Sequence, residues 1–368
     1  MSFFFSCRPI YPPHPEVPAS AGLEGGLQKS RDPWSPPSRL RFAPHLRKRA
    51  RIGAACLLAL LSAEPVTAAT LFVSNERDNT VTVVDAGTLS VVKTIPVGRR
   101  PRGIVITPDG REVMVCAGDS DRVDVIDTES LKVVRSIPSG ADPEALNILP
   151  SGATIYVANE NDSMVTAIDR ASGKPLAEIP VGVEPEGVGV SPDGSVVVNV
   201  SESTSMAHFI EVKTAKVIAN VLVDTRPRVA VFTGDGKRVW VTSEIGGTLA
   251  IIDAKTHKVE KTVAFEIPAV RAELIQPNGI AFSADGRTAF VALGRANRVA
   301  VIDAATFEIQ KYLLVGQRVW QLALSPDGAK VYTVNGLTND LSVIDVASLK
   351  VERSAVVGRL PWGIAVKP

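Results

Sequence analysis

An acidic residue that ends an apolar stretch, with Ser or Thr three positions later, recurs along this chain at Asp85/Thr88, Asp127/Ser130, Asp169/Ser172, Glu211/Thr214, Asp253/Thr256, Asp303/Thr306 and Asp345/Ser348. The intervals are 42, 42, 42, 42, 50 and 42 residues. Pro101, Pro143, Pro185, Pro227, Pro277, Val319 and Pro361 keep the same register, with the same extra eight residues in the same place. So do the turn glycines Gly110, Gly152, Gly194, Gly236, Gly286 and Gly328. Three markers in one register mean a single structural unit repeated along the chain, and a period of about 40 to 45 residues is that of a four-stranded propeller blade. The length of 368 residues, which alone would be divided into two or three domains, is therefore read as one repetitive domain.

One unit shows why strands are expected. Glu144 to Leu149 is apolar, Pro150-Ser151-Gly152 turns, Thr154 to Ala158 is a second strand and Asn159 to Ser163 a loop. Met164 to Ile168 is a third strand that ends at Asp169, and Pro175 to Pro180 is the fourth. An Asp at such a reversal accepts hydrogen bonds from backbone N–H groups two or three residues on, which fixes the turn. The chain ends on a first strand, Pro361 to Pro368, and Thr70 to Asn75 reads as a second strand. One blade is therefore built from both ends, which leaves no open sheet edge at the seam. The expected fold is all-β: a seven-bladed propeller of four-stranded antiparallel blades over residues 70–368.

These repeats resemble a known family. Phe72-Val-Ser-Asn75, Tyr156-Val-Ala-Asn159 and Tyr332-Thr-Val-Asn335, each followed by a Val-x-Val-Ile-Asp-like strand, look like the YVTN β-propeller repeat family, as do the endings Ile95 to Gly98 and Ile179 to Gly182. Within that family the chain most resembles exported propellers associated with PQQ-dependent alcohol catabolism. That resemblance implies a setting beside a quinoprotein dehydrogenase and a transporter component, without an assigned activity. Quinoprotein dehydrogenases themselves have eight blades and often a vicinal Cys pair, so binding of PQQ by this chain is not implied.

The sequence before the repeats has another character. Residues 1–45 are Pro-rich and without apolar periodicity, which reads as a disordered extension. Arg47, Lys48, Arg49 and Arg51 then precede an apolar run from Ile52 to Leu61 and the small residues up to Ala68 and Ala69. This is the layout of a secretory signal peptide, too short for a membrane span. Residues 46–69 are assigned to it, with cleavage near Ala68 or Ala69, translation expected to start near Leu46, and a periplasmic or secreted product. Removing nine basic and four acidic residues from 40 and 39 leaves 31 against 35 in the repeats. The net charge of +1 for the whole chain gives no reason to expect nucleic acid. Cys116 is then the only remaining cysteine; in an apolar strand it reads as packing.

Propeller geometry places the residue after each Pro marker on a ring at the channel mouth: Arg102, Glu144, Glu186, Arg228, Asn278, Trp320 and Trp362. A second ring precedes it, with Arg100, Asp142, Glu184, Arg226, Gln276, Arg318 and Leu360. Two neighbouring blades are acidic at both positions and are flanked by blades basic at both. Such a funnel grips a ligand or partner protein, or else it is a ring of inter-blade salt bridges. The eight-residue insertion lengthens one loop on the same face and makes it apolar, with Phe265, Glu266, Arg271 and Glu273 as its candidate contacts. It serves as a lid or docking element, or it folds onto its neighbouring blade.

Enzyme chemistry finds less support in the residues. A haem ligand would have to come from His208 or His257, and His208 stands where other repeats have Thr82, Asp124, Thr166 and Ser342. Zinc and copper need clusters of His or Cys that the repeats lack, and no Ser-His-Asp set can be assigned. The expectation is a non-catalytic exported propeller without cofactor or metal, not an integral membrane protein, that binds a small molecule or a periplasmic redox or transport partner. A lactonase or other hydrolase using the funnel, and a structural surface-layer-type repeat protein, are the alternatives.

Overall fold

A computed structural model describes residues 69–367; the expected Pro-rich extension and signal peptide, up to residue 68, lie outside the described residues. The described residues form seven four-stranded sheets, all neighbours antiparallel. The first blade is the closure blade, in which Pro361–Lys367 pairs with Thr70–Asn75, followed by Thr80–Asp85 and Val91–Pro96. Leu71 stands opposite Val366 and Val73 opposite Ile364, so the two ends of the repeat region are held in one sheet. The second blade begins at Pro101–Ile106, the third at Pro143–Ile148, the fourth at Pro185–Val190 and the fifth at Pro227–Phe232. The sixth begins at Ile280–Phe282 and the seventh at Val319–Leu324. Each of these first strands packs against those of both neighbouring blades, and together they ring an axis. No helix among the described residues is long and apolar enough to cross a membrane.

The core lies between blades. Seven apolar clusters fill the spaces, each drawn mainly from two adjacent sheets: Val198 and Phe209 of the fourth blade meet Val239 and Ile252 of the fifth, for example. Second and third strands are buried along most of their length, whereas fourth strands alternate and expose their outer face. Cys116 is buried in one such cluster.

Side chains fix the turns as the repeated motif requires. Asp85 Oδ1 accepts hydrogen bonds from Thr88 N (2.7 Å) and Thr88 Oγ1 (2.8 Å), and Asp127, Asp169, Asp253, Asp303 and Asp345 act likewise. In the Pro-Asp-Gly turn, Gly110 has φ +68°, a left-handed conformation in which a Cβ is strained. The Asn that ends the YVTN-like strand is also a fastener. Asn159 donates from Nδ2 to Thr166 Oγ1 (2.8 Å), and its Oδ1 accepts from Gly140 N (3.1 Å). It thereby joins second strand, third strand and the preceding blade's exit.

Candidate functional site

Connections entering each first strand and loops between second and third strands share one end of the propeller: Gly118 N donates to Arg100 O (3.2 Å) and Glu160 N to Asp142 O (2.9 Å). This end is the funnel face.

The charged half of the ring is an interlocked collar. Glu144 is fully buried and accepts from Arg100 Nη1 on Oε1 (2.7 Å) and from Arg102 Nη1 on Oε2 (2.6 Å). Arg100 also pairs with Asp142 and Asp119, and Arg102 with Glu76. On the other side Arg228, 4% exposed, pairs with Glu186 at 2.9 Å and with Glu202, while Arg226 reaches Glu202 at 2.9 Å and Glu244 at 3.3 Å. Glu184 accepts from Ser203. Every guanidinium here faces carboxylates of adjacent blades, which is what lets such charges be buried.

Proton affinities in the collar are displaced. Burial raises the Glu144 carboxyl, but Arg102, the hydrogen bond from Glu160 and Arg100 together hold it below its ordinary value. Glu160 is pushed up to about 8, first by burial and then by its hydrogen bond to Glu144 and the negative charge there. At neutral pH it is the protonated donor of that pair. Glu186 is pushed up to about 7 by burial and by Glu144, against the opposing pull of Arg228. Asp142, Glu144 and Glu160 place oxygens within 4.8 Å of one another, a spacing that could hold a cation, but Arg100 and Arg102 already occupy that charge.

The other half of the ring is aromatic and has Arg318 as its one charged member. Trp320 and Trp362 are stacked, with centroids 6.4 Å apart, and Trp320 lies under Arg318 Cζ (4.5 Å) and near Arg228 Cζ (5.7 Å). Asn278 joins this half because the next residue, Gly279, donates to Trp320 O (2.9 Å). Asn278 is 1% exposed and neither end of its amide has a partner; Trp362 Nε1 is likewise buried and unpaired. Below the ring the axis holds a cavity of about 260 Å³, walled by Arg228, Trp362, Asn147, Gln321 and aliphatic residues of the first strands.

The insertion lies on its own blades. Phe265 and Ile267 pack in one cluster with Trp240, Leu249 and Leu293, so Phe265 offers no surface to a ligand. Glu266, Arg271 and Glu273 are exposed, with Arg271 and Glu273 paired at 3.2 Å. His208 is a fastener: Gly182 N donates to Nε2 (3.0 Å) and Nδ1 pairs with Asn220 Oδ1 (2.7 Å).

Glu76, Glu160, Glu202 and Glu244, which the Pro ruler does not mark, complete the collar. A signal was present: they sit one after the second-strand end, on the 42-residue ruler, at a register that is Gly118, Gly294 and Gly336 in the remaining blades.

A YNCE-like beta-propeller family model matches residues 46–151, and a choice-of-anchor I domain model matches residues 162–340. Neither spans half of the chain. Among solved structures, hydrazine synthase of Kuenenia stuttgartiensis superposes with TM-score 0.69 at 25% identity, over 76% of this chain and 92% of that one. A protein of unknown function from Desulfotomaculum acetoxidans DSM 771 superposes with TM-score 0.71 at 20% identity, over 81% of this chain and 98% of that one. No curated protein sequence matches the chain. These findings agree with a seven-bladed propeller repeat protein.

Proposed function

We propose that this is an exported, non-catalytic propeller that docks a periplasmic partner on its funnel face, as an accessory to PQQ-dependent alcohol catabolism. What supports docking is the rim. Val183, Leu222, Ile245, Leu314, Leu337 and Val356 are each more than half exposed, and all lie at the funnel end of blades four to seven. Val183 is in an entering connection, Ile245 and Leu337 are in loops between second and third strands, and the others end fourth strands. Apolar residues gathered on one rim around a polar centre are the pattern of a protein interface. The collar supports a non-catalytic role, since its Arg-bound carboxylates are not free to act as bases. The placement in alcohol catabolism, the export and the absence of a cofactor rest on the sequence resemblance and the leader.

The test is an anisotropy titration of the labelled full chain with purified PQQ-dependent alcohol dehydrogenase from the same cells. Saturable binding is expected, weakened about tenfold or more by Ile245→Lys with Leu337→Lys, as loss of a contact worth about 1.4 kcal/mol would give. Leu176→Lys, on an outer strand away from the rim, should leave it unchanged. No binding, or equal weakening by Leu176→Lys, would overturn the reading.

The hydrolase reading is favoured by the position of Glu160, whose carboxyl lies within 4.8 Å of that of Glu144 and is pushed up to about 8 by burial and that neighbour, in the direction a general acid needs. Under that reading lactone turnover is measurable and is lost in Glu160→Gln while dehydrogenase binding persists.

A further inference from the structure

We propose that the funnel sector around Arg318 is a binding site for a small carboxylate with a compact aliphatic body. This goes beyond partner docking and stands on different residues. Arg318 is the seventh-blade counterpart of Arg226 in the fifth. Around Arg226 the carboxylates come from Glu202 and Glu244, at the register one residue after the second strand in its own and the preceding blade. At that register beside Arg318 the chain has Gly294 and Gly336. Among the described residues neither Arg318 nor its neighbour Arg295 has a carboxylate within 4.0 Å. The space at Gly336 is taken by Trp320 instead: a Cβ there would stand 2.7 Å from Trp320 Nε1. The sector thus keeps the guanidinium of the repeat and lacks its counter-ions.

Unpaired donors lie in the same sector, around Trp320. Arg318 Nε, Trp362 Nε1 and Asn278 Nδ2 are buried and without hydrogen-bond partners. Asn278 and Trp362 are 1% and 5% exposed. Donors buried without acceptors are destabilising, and an arriving carboxylate supplies acceptors and charge together. The aliphatic part of the ligand follows from the cavity below, which meets this sector at Trp362: about 260 Å³, with Ile104, Leu146, Val229 and Leu322 in a mainly aliphatic wall that also holds Asn147 and Gln321, near the lower end of small-molecule pockets at about 300 Å³. A short-chain fatty acid has this shape and chemistry; inorganic phosphate lacks the body, and the matching alcohol lacks the charge.

Calorimetric titration of the full chain with hexanoate, phosphate and hexanol separates these cases. Hexanoate is expected to bind at least about tenfold more tightly than either of the others. Arg318→Gln should reduce hexanoate binding about tenfold, to the level of hexanol, Arg318→Lys should restore part of it, and Asn278→Leu should weaken it independently. A thermal melt of each variant checks folding; Arg318 is suited to this, because its fixed contact with Asn297 Oδ1 is made by the backbone N–H (2.9 Å). Absence of hexanoate binding, equal binding of hexanol or phosphate, or full binding by Arg318→Gln would overturn the proposal. Ile245→Lys with Leu337→Lys should leave hexanoate binding intact, so this site and the docking rim can fail separately.

Discussion

Glu144 carries the collar. It has no exposed surface, and an ionised carboxylate in that position is tolerated only because two guanidinium groups close on its two oxygens. Glu144→Gln keeps the shape and removes the charge, so Arg100 and Arg102 lose their shared partner; about 3 to 5 kcal/mol of stability should go with it, measured by urea denaturation. Glu160 gives the opposite kind of test. Its folded-state value of about 8 lies above the ordinary 4.5, so the folded protein holds a proton that the unfolded chain releases between these values. Stability from this group is present below the lower value and declines as pH rises through the upper one. Glu160→Gln, which mimics the protonated form, should flatten that decline and leave the variant more stable than the parent above about pH 8, read by thermal melts across the range. The sequence placed Glu144 on the ring by counting from a proline. It did not show that Glu160 would reach the same carboxyl, because that meeting depends on how far a loop leans over the mouth.

At the scale of strands and loops, the Asn-Thr fastener and its substitutes explain residues that look functional in sequence. In the fourth blade Ser201 and His208 stand where Asn159 and Thr166 stand in the third, and the imidazole takes over the hydrogen bond from the glycine N–H. Burial holds His208 below its ordinary value, against the opposing bond to Asn220. The folded state therefore resists protonation, and stability falls as pH drops below the ordinary imidazole value of about 6.5. Ser201→Asn with His208→Thr transplants the commoner fastener; the double variant should match the parent near pH 7 and exceed its melting temperature near pH 5. The inserted loop is a case where composition left two outcomes open. Its apolar residues signalled burial, and the side on which Phe265 and Ile267 found it was decided by the neighbouring Trp240 and Leu293.

For the whole molecule, the regular spacing of Asp, Pro and Gly made blade number, strand order and seam legible, because each marks a turn whose chemistry is local. The site was legible only as a ring of residue types. Its pairing, its uncompensated sector and its apolar rim arise between blades, from side chains about 42 positions apart in sequence that meet only once the ring has closed. Closure itself is testable: a chain ending at residue 360 lacks the strand that pairs with Thr70–Asn75 and exposes an apolar sheet edge, so it should lose the cooperative thermal transition and aggregate. Joining the ends and reopening the chain between the third and fourth blades should preserve folding.

Hydrogen–deuterium exchange of the full chain with and without the purified dehydrogenase tests the functional account most directly. Slowed exchange confined to the funnel-face loops of blades four to seven, around Val183, Ile245 and Leu337, is the predicted result. Protection at the Pro-Asp-Gly turns of the opposite face, or none at saturating dehydrogenase, would contradict it.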